Sequence, residues 1–333
     1  MTLVMKPGQV RPVRLPAVWI DPRILLESLG NMAGETRNVR QSHLVPEGVS
    51  RVRFNDYARE HFRESIPSRK GIQKAIKRGE FFVDGIPAQT GTWVKPGQKI
   101  ELRFGREPAG KEFHLQLEVL FEDDHLAVIN KPAGYPVSGN RFKTIANALP
   151  VNLTVSPEED RLVSPRPVHR LDSQTSGLLV AAKTHRAQIH LGTLFAEKRV
   201  RKRYRAITIG KLERTGRIET ELEGKLAVTR YHPVAHTPSL HNRWLTRVDL
   251  FPETGRTHQL RIHMSELGHP ILGDRLYGAD GFILRGRGLF LCAVELNFPH
   301  PVSGEPLRLE IDDPGKFDQI VRWEQHRWER TQP

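Results

Sequence analysis

A chain of 333 residues is long enough for two domains of ordinary size, at the ~100–200 residues a domain usually takes, and too long for one small module. With 38% hydrophobic and 27% charged residues, and no apolar run near the ~18 residues of a membrane span, it reads as soluble and globular, neither disordered nor membrane-integral. The 51 Lys plus Arg against 38 Asp plus Glu leave a net charge of +13, which favours a polyanionic partner, nucleic acid or a ribosomal surface first. Cys292, the one cysteine, excludes an internal disulfide or a multi-thiolate zinc site, and a reducing cytoplasm is the expected location.

The N-terminal stretch MTLVMKPGQVRPVRLPAVWI is broken by Pro7, Pro12, Pro16 and three charges, so it does not have the form of an export signal. Residues 1–50 read as a leader of uncertain structure, with one short helical candidate at 22–29. Residues 51–105 are compact in pattern and basic, with twelve Lys plus Arg against six Asp plus Glu, nearly half of the whole excess. Ser68 is a good N-cap for the helix RKGIQKAIKR, which places Ile72, Ala75 and Ile76 on one face. Arg69, Lys70, Lys74, Lys77 and Arg78 occupy the other. Gly79 stops the helix, and FFV, Asp84-Gly85, IPA reads as strand, tight turn, strand. VKPGQKIEL adds a turn and another strand. On its own such a charge run is a solvated face.

The order of these parts, basic helix, glycine stop, DG hairpin and PGQKI turn, resembles the S-four RNA-binding domain over about residues 54–104. That resemblance implies that Arg69, Lys70, Lys74, Lys77 and Arg78 lie against RNA phosphates.

After a linker at 106–113, short β-rich runs alternate with Gly and Pro: LQLEVLFEDD, HLAVINKP, SGLLVAA, KRYRAITIG, KLAVTRYHPV and RWLTRVDLF. Two amphipathic helices interrupt them, at 184–198 and 257–267. Residues 112–313 are therefore expected to form an α+β domain on a mixed, mainly antiparallel sheet, behind a smaller α+β domain. Residues 314–333 add a polar C-terminal helix or tail, with Trp323 and Trp328, that could dock on either.

The densest polar segment is VHRLDSQTSGLLVAAK, where Asp172 stands just before an apolar strand. A lone Asp there is ordinarily a turn residue. His169, Arg170, Thr175 and Ser176 surround this one with donors, so it could serve as nucleophile or base. Farther on, GRTHQLRIHMSELGHPILGDRLYG places Leu260 and Arg261 on the inward turn of a helix, and KRYRAITIG places Tyr204 in a strand.

Taken together, LFEDDHLAVINKPAG, HRLDSQTSG, KRYRA and GRTHQLRIHM with LGHPILGDRLYG resemble, in order and spacing, the RluA family of pseudouridine synthases, over about residues 117–310. The resemblance implies Asp172 as the essential carboxylate, Tyr204 as the ring that stacks on a flipped base, and Arg261 as the basic partner of Asp172. Arg170 would hold the RNA open where the base has left, and Leu260 would form an apolar wall. His169, Thr175 and Arg256 are implied on the substrate side as loop-building residues. The reaction breaks the bond from ribose to ring nitrogen, turns the uracil over and rejoins it through carbon; it requires base flipping and needs no metal or organic cofactor. Asp172 would either attack covalently or remove a ribose proton to give a glycal-like intermediate. The last proton would pass to Tyr204 or Asp172.

The expected partner is RNA, ribosomal RNA first, although relatives with the same motifs act on transfer RNA, and a monomer is expected. One departure stands out: where the family continues KPAG with an apolar residue and Val-His-Pro, this chain has Tyr135 to Asn140 without the histidine. Other readings weigh less. His258 and His263 are five apart, which misses the spacing of a helical zinc pair. Glu266 and Asp274 have no spacing that pairs them with Asp172 as in a glycosidase. A non-catalytic RNA-binding or assembly protein would not need Asp172, Tyr204 and Arg261 together.

Overall fold

SGLLVAAKT is apolar on both faces, the pattern of a strand covered from both sides. In the computed structural model, which describes residues 39–49, 51–103, 112–278 and 287–331, it forms a central strand of the larger sheet. The described residues fall into two compact units, 39–103 and 112–331.

The first unit contains β1 (Val39–Leu44), β2 (Val52–Arg53), helix α1 (Phe54–His61), α2 (Arg69–Lys77), β3 (Phe81–Val83), β4 (Ile86–Pro87), β5 (Trp93–Val94) and β6 (Lys99–Arg103). Four strands form one sheet in the order β1-β6-β3-β4, and β2 pairs with β5. Ser68 caps α2, its hydroxyl accepting from the Gly71 amide at 3.0 Å, and Ile72, Ala75 and Ile76 turn into a core with Phe54, Phe62 and Phe81. Asp84 and Gly85 both have positive φ, as a two-residue primed turn requires. The leader expected over residues 1–50 is shorter than that: residues 39–44 pair along β6 as an edge strand. VRQSHL is mostly polar because only part of each side chain is covered, so it carries no strand pattern. The helical candidate at 22–29 lies outside the described residues.

The second unit is one ten-stranded sheet with helices around it. Its strands are β7 (Glu118–Glu122), β8 (Leu126–Lys131), β9 (Arg161–Pro167), β10 (Ser176–Thr184), β11 (Arg201–Ile209), β12 (Gly216–Leu222), β13 (Lys225–Ser239), β14 (Arg243–Pro252), β15 (Leu291–Pro299) and β16 (Pro306–Glu310). The helices are α3 (Ile145–Asn152), α4 (His185–Ala196), α5 (Gln259–Glu266) and α6 (Gly315–Glu329). The order is β12-β13-β14-β11-β15-β10-β8-β7, with β16 on β15 and β9 on β10. Pairing is antiparallel except where β10 meets β15, Ser176 opposite Cys292 and Gly177 opposite Ala293. The fold is thus α+β on a mainly antiparallel sheet. Among the described residues no helix is long and apolar enough to cross a membrane.

The polar C-terminal helix belongs to this unit, because Phe317 and Ile320 are fully buried with Ile207, Leu245 and Phe290, and Arg247 pairs with Asp318 at 2.6 Å. Its polar composition describes only its outer face.

The parallel junction explains Gly177. Its φ is +108°, and a Cβ there would lie 2.2 Å from the Ala293 carbonyl oxygen. Gly177→Ala should therefore force β10 and β15 apart and cost on the order of 3 kcal/mol. Thermal unfolding of the purified variant checks this, and an unchanged transition would contradict the packing.

Candidate active site

Asp172 sits on the loop that enters β10. Leu171 is buried beside it, and the Asp172 carbonyl accepts from the Thr175 amide at 3.1 Å, closing a turn. Below the turn lies Lys131, at the end of β8 and with none of its surface exposed. Its Nζ donates to the carbonyls of Pro132 (2.9 Å), Ser173 (3.2 Å) and Thr175 (2.8 Å). Burial lowers the Lys131 ammonium to about 8, against the opposing pull of the Asp172 charge. The loop that carries Asp172 is thus pinned from underneath by a lysine that sequence reasoning passed over, although NKPAG marks it as a charge between an apolar strand and a proline.

Arg261 reaches Asp172 from α5, Nη1 to Oδ2 at 3.5 Å. Its stronger bond is elsewhere. Nε and Nη2 form a two-pronged pair with Asp274, both at 2.7 Å. Burial alone would raise the Asp274 carboxyl. Hydrogen bonds and charge from Arg261, with the amides of Leu276 and Tyr277, outweigh it and hold the group below its ordinary value. The fork leaves Nη1 directed at Asp172.

The helix carrying Arg261 begins at Gln259, two residues later than its pattern suggests, because His258 has φ +55° and cannot continue a right-handed turn. Gln259 secures the entry: its Oε1 accepts from the Arg256 amide at 3.0 Å and from Thr254 Oγ1 at 2.6 Å, and its Nε2 donates to the Val228 carbonyl at 2.9 Å. His258 itself places Nε2 3.9 Å from Asp172 Oδ1 and Nδ1 3.0 Å from the Tyr277 hydroxyl. His263 instead contacts Thr229 (2.9 Å) and Thr220 (3.1 Å), so the two histidines face different partners.

Tyr204 lies on β11 and packs with Leu260 and Leu291. Burial, and after it the Asp172 charge, push its phenol well above the ordinary tyrosine range. Asp172, Tyr204, Leu260 and Arg261 line one open cleft of 1120 Å³, with Arg170, Lys198, Arg201, Arg230 and Arg256 also on its walls. The Asp172 carboxylate beside an aromatic ring and an aliphatic side chain, within a largely basic surround, suits a single flipped base on a polyanion.

Three sequence candidates have structural duties there. His169 accepts from the Val180 amide through Nε2 at 3.0 Å and stacks on Phe195 with ring centres 4.5 Å apart; burial lowers its imidazole to about 3. Thr175 is buried in the turn below Asp172, and Arg256 Nε donates to the Leu226 carbonyl at 3.1 Å. Their first contacts build the walls, and Arg170 remains exposed.

On the first unit the five basic residues of the α2 segment separate. Arg69 and Lys77 line a shallow pocket with Gln73, Arg53 and Asn55; Lys70 and Lys74 are exposed; Arg78 pairs with Glu80.

Residues 125–266 match the family model described as RNA pseudouridylate synthase. A ribosomal large subunit pseudouridine synthase D of Xanthomonas campestris pv. campestris is 32% identical, over 85% of this chain and 92% of its own. One of the same name from Nitrosomonas europaea is 33% identical, over 87% and 90%. Among solved structures, human RNA pseudouridylate synthase domain containing 1 superposes with a TM-score of 0.50 at 26% identity, over 65% of this chain and 97% of its own. With that family match, the shared fold and relatives above 30% identity over nearly their whole length, the chain belongs to the RluA family of RNA pseudouridine synthases.

Proposed function

We propose that this chain isomerises uridines of large-subunit ribosomal RNA, with Asp172 acting on the ribose, Tyr204 stacking on the flipped base and Arg261 holding the carboxylate. The observation that carries the reading is the Asp172 carboxylate in the cleft, 3.5 Å from a guanidinium that is itself locked by Asp274. The ribosomal designation of the relatives supports the choice of RNA.

Flipping the uridine costs roughly a few kcal/mol, which stacking on Tyr204 offsets by ~1–3 kcal/mol, and phosphate contacts on the basic walls supply the rest. Arg170 is exposed two residues before Asp172, which supports its occupying the gap left in the RNA. With the base held, Asp172 either attacks the anomeric carbon or takes a ribose proton, and the uracil leaves, turns and rejoins through carbon. The final proton must then leave that carbon. A phenol held protonated is a poor base, so the Tyr204 environment favours Asp172 for this step.

RNA carrying tritium on the uracil carbon that forms the new bond tests the reaction directly. The purified chain should release tritium to water from large-subunit ribosomal RNA and far less from transfer RNA. Release from transfer RNA alone would overturn the substrate assignment, and release from neither would overturn the reading.

The first unit is read here as an S-four-type grip on RNA backbone. Replacing Lys74 and Lys77 together with Ala should lower the slope of log affinity against log salt by roughly 1.5 and leave turnover at saturating RNA unchanged. Filter binding at several salt concentrations measures it; an unaltered slope removes α2 from the RNA contact.

A further inference from the structure

Among the described residues, a side-chain nitrogen faces each oxygen of the Asp172 carboxylate. Arg261 Nη1 faces Oδ2 at 3.5 Å, and His258 Nε2 faces Oδ1 at 3.9 Å. A carboxylate held at one oxygen can still rotate about its last side-chain bond, which changes the direction in which the acting oxygen points. A donor on the second oxygen removes that freedom.

Tyr277 ties the two nitrogen groups together. Its hydroxyl is 3.0 Å from His258 Nδ1, and its ring centre lies 5.1 Å from the Arg261 guanidinium carbon. Its own backbone is fixed at both ends: the amide donates to Asp274 Oδ1 at 3.1 Å, and the carbonyl accepts from Ser265 Oγ at 2.7 Å. The hydroxyl also decides the histidine tautomer. When it donates to Nδ1, the neutral ring carries its proton on Nε2, pointing at Asp172. The reverse arrangement sets an Nε2 lone pair against a carboxylate oxygen and is repulsive. His258 holds its ring near the carboxylate from a left-handed backbone, φ +55°, a conformation costly for a non-glycine residue.

We propose that His258, oriented by the Tyr277 hydroxyl, is a positioning residue that fixes the plane of the Asp172 carboxylate; this rests on Asp172 being the group that acts on the ribose. The 3.9 Å separation closes to a hydrogen bond when the uridine enters, as contacts of this kind tighten around bound substrate. His258 and Tyr277 contribute to the rate and little to RNA affinity.

Single-turnover tritium release by the full-length chain in excess over RNA, with the RNA Kd measured alongside, tests this. His258→Asn suits the left-handed backbone but is too short to reach Asp172, and should lower the rate 10–100-fold with Kd within about twofold. His258→Gln can place an amide nitrogen near the Nε2 position and should recover most of the loss. Tyr277→Phe keeps the ring on Arg261 and should lower the rate three- to tenfold, with the His258→Asn, Tyr277→Phe double variant no slower than His258→Asn alone. Wild-type rates in both single variants, multiplicative losses in the double variant, or losses confined to Kd would each overturn the proposal. Asp172→Asn separates the two levels. If it is inactive while His258→Asn and Tyr277→Phe are normal, the positioning role alone falls; if it is active, the reading of Asp172 falls as well.

Discussion

Replacing Asp172 with Asn should lower uridine isomerisation on the order of ten-thousand-fold or more while RNA binding stays within about twofold. The amide has nearly the shape of the carboxylate, so the Thr175 turn and the Lys131 anchor below it are untouched. It is neither a nucleophile toward the anomeric carbon nor a base, so both routes open to Asp172 are lost together. Arg261 keeps its two bonds to Asp274 and stays in place. Rate measured against RNA affinity distinguishes this result from general damage: a parallel fall in both would mean that Asp172 supports structure.

The second large effect is expected at Asp274, whose carboxylate pairs with Arg261 of the cleft and accepts from the Leu276 and Tyr277 amides. Asp274→Ala leaves the buried guanidinium with the more distant Asp172 carboxylate at 3.5 Å and the Tyr277 ring face, and takes the acceptor from the Leu276 and Tyr277 amides. Breaking such a pair from one side costs about 3–5 kcal/mol, because the remaining charge is left uncompensated in a poor dielectric. For a unit of this size that corresponds to a fall of roughly 10 °C in the unfolding midpoint. The rate should fall at least tenfold as well, since Arg261 is no longer aimed. Asp274→Asn keeps one hydrogen-bond acceptor and should lie between the two. A midpoint within 2 °C of wild type in Asp274→Ala would contradict the claim that this pair locks the site.

How far the sequence discloses this arrangement depends on whether a feature is local. Asp172, Tyr204 and Arg261 stand in dense, ordered motifs, and the structure brings all three to one cleft. Helix α2 is legible from the Ser68 cap and its apolar spacing, and β8, β10, β11 and β14 from apolar runs. β1 is not, because a half-covered edge strand can be polar. β9 includes Pro165 and Pro167, which read as loop, yet it pairs along β10. β12 alternates with charges and is placed by pairing with β13, with Ile218 on the core and Thr220 bonded to His263. The fork from Asp274 to Arg261 spans 13 residues and closes only in three dimensions. Lys131 looks like a surface lysine until its three carbonyl partners are assembled around it. Likewise a histidine at φ +55° has no sequence mark, so the start of α5 and the approach of His258 to Asp172 emerge only from the backbone.

The two units carry the +13 charge differently. On the first, Arg69 and Lys77 line a shallow pocket and Lys70 and Lys74 are exposed, an arrangement suited to phosphate contact without base reading. On the second, arginines line a cleft together with Tyr204, Leu260 and Asp172, an arrangement suited to chemistry on a single base.

Position-resolved mapping of pseudouridine in total RNA tests the central claim most directly, in cells lacking this chain and carrying either the wild type or Asp172→Asn. At least one large-subunit ribosomal uridine should be unmodified in the deletion, regain pseudouridine with the wild type and remain uridine with Asp172→Asn. Pseudouridine restored at that position by Asp172→Asn, or a map identical in all the strains, would contradict the account.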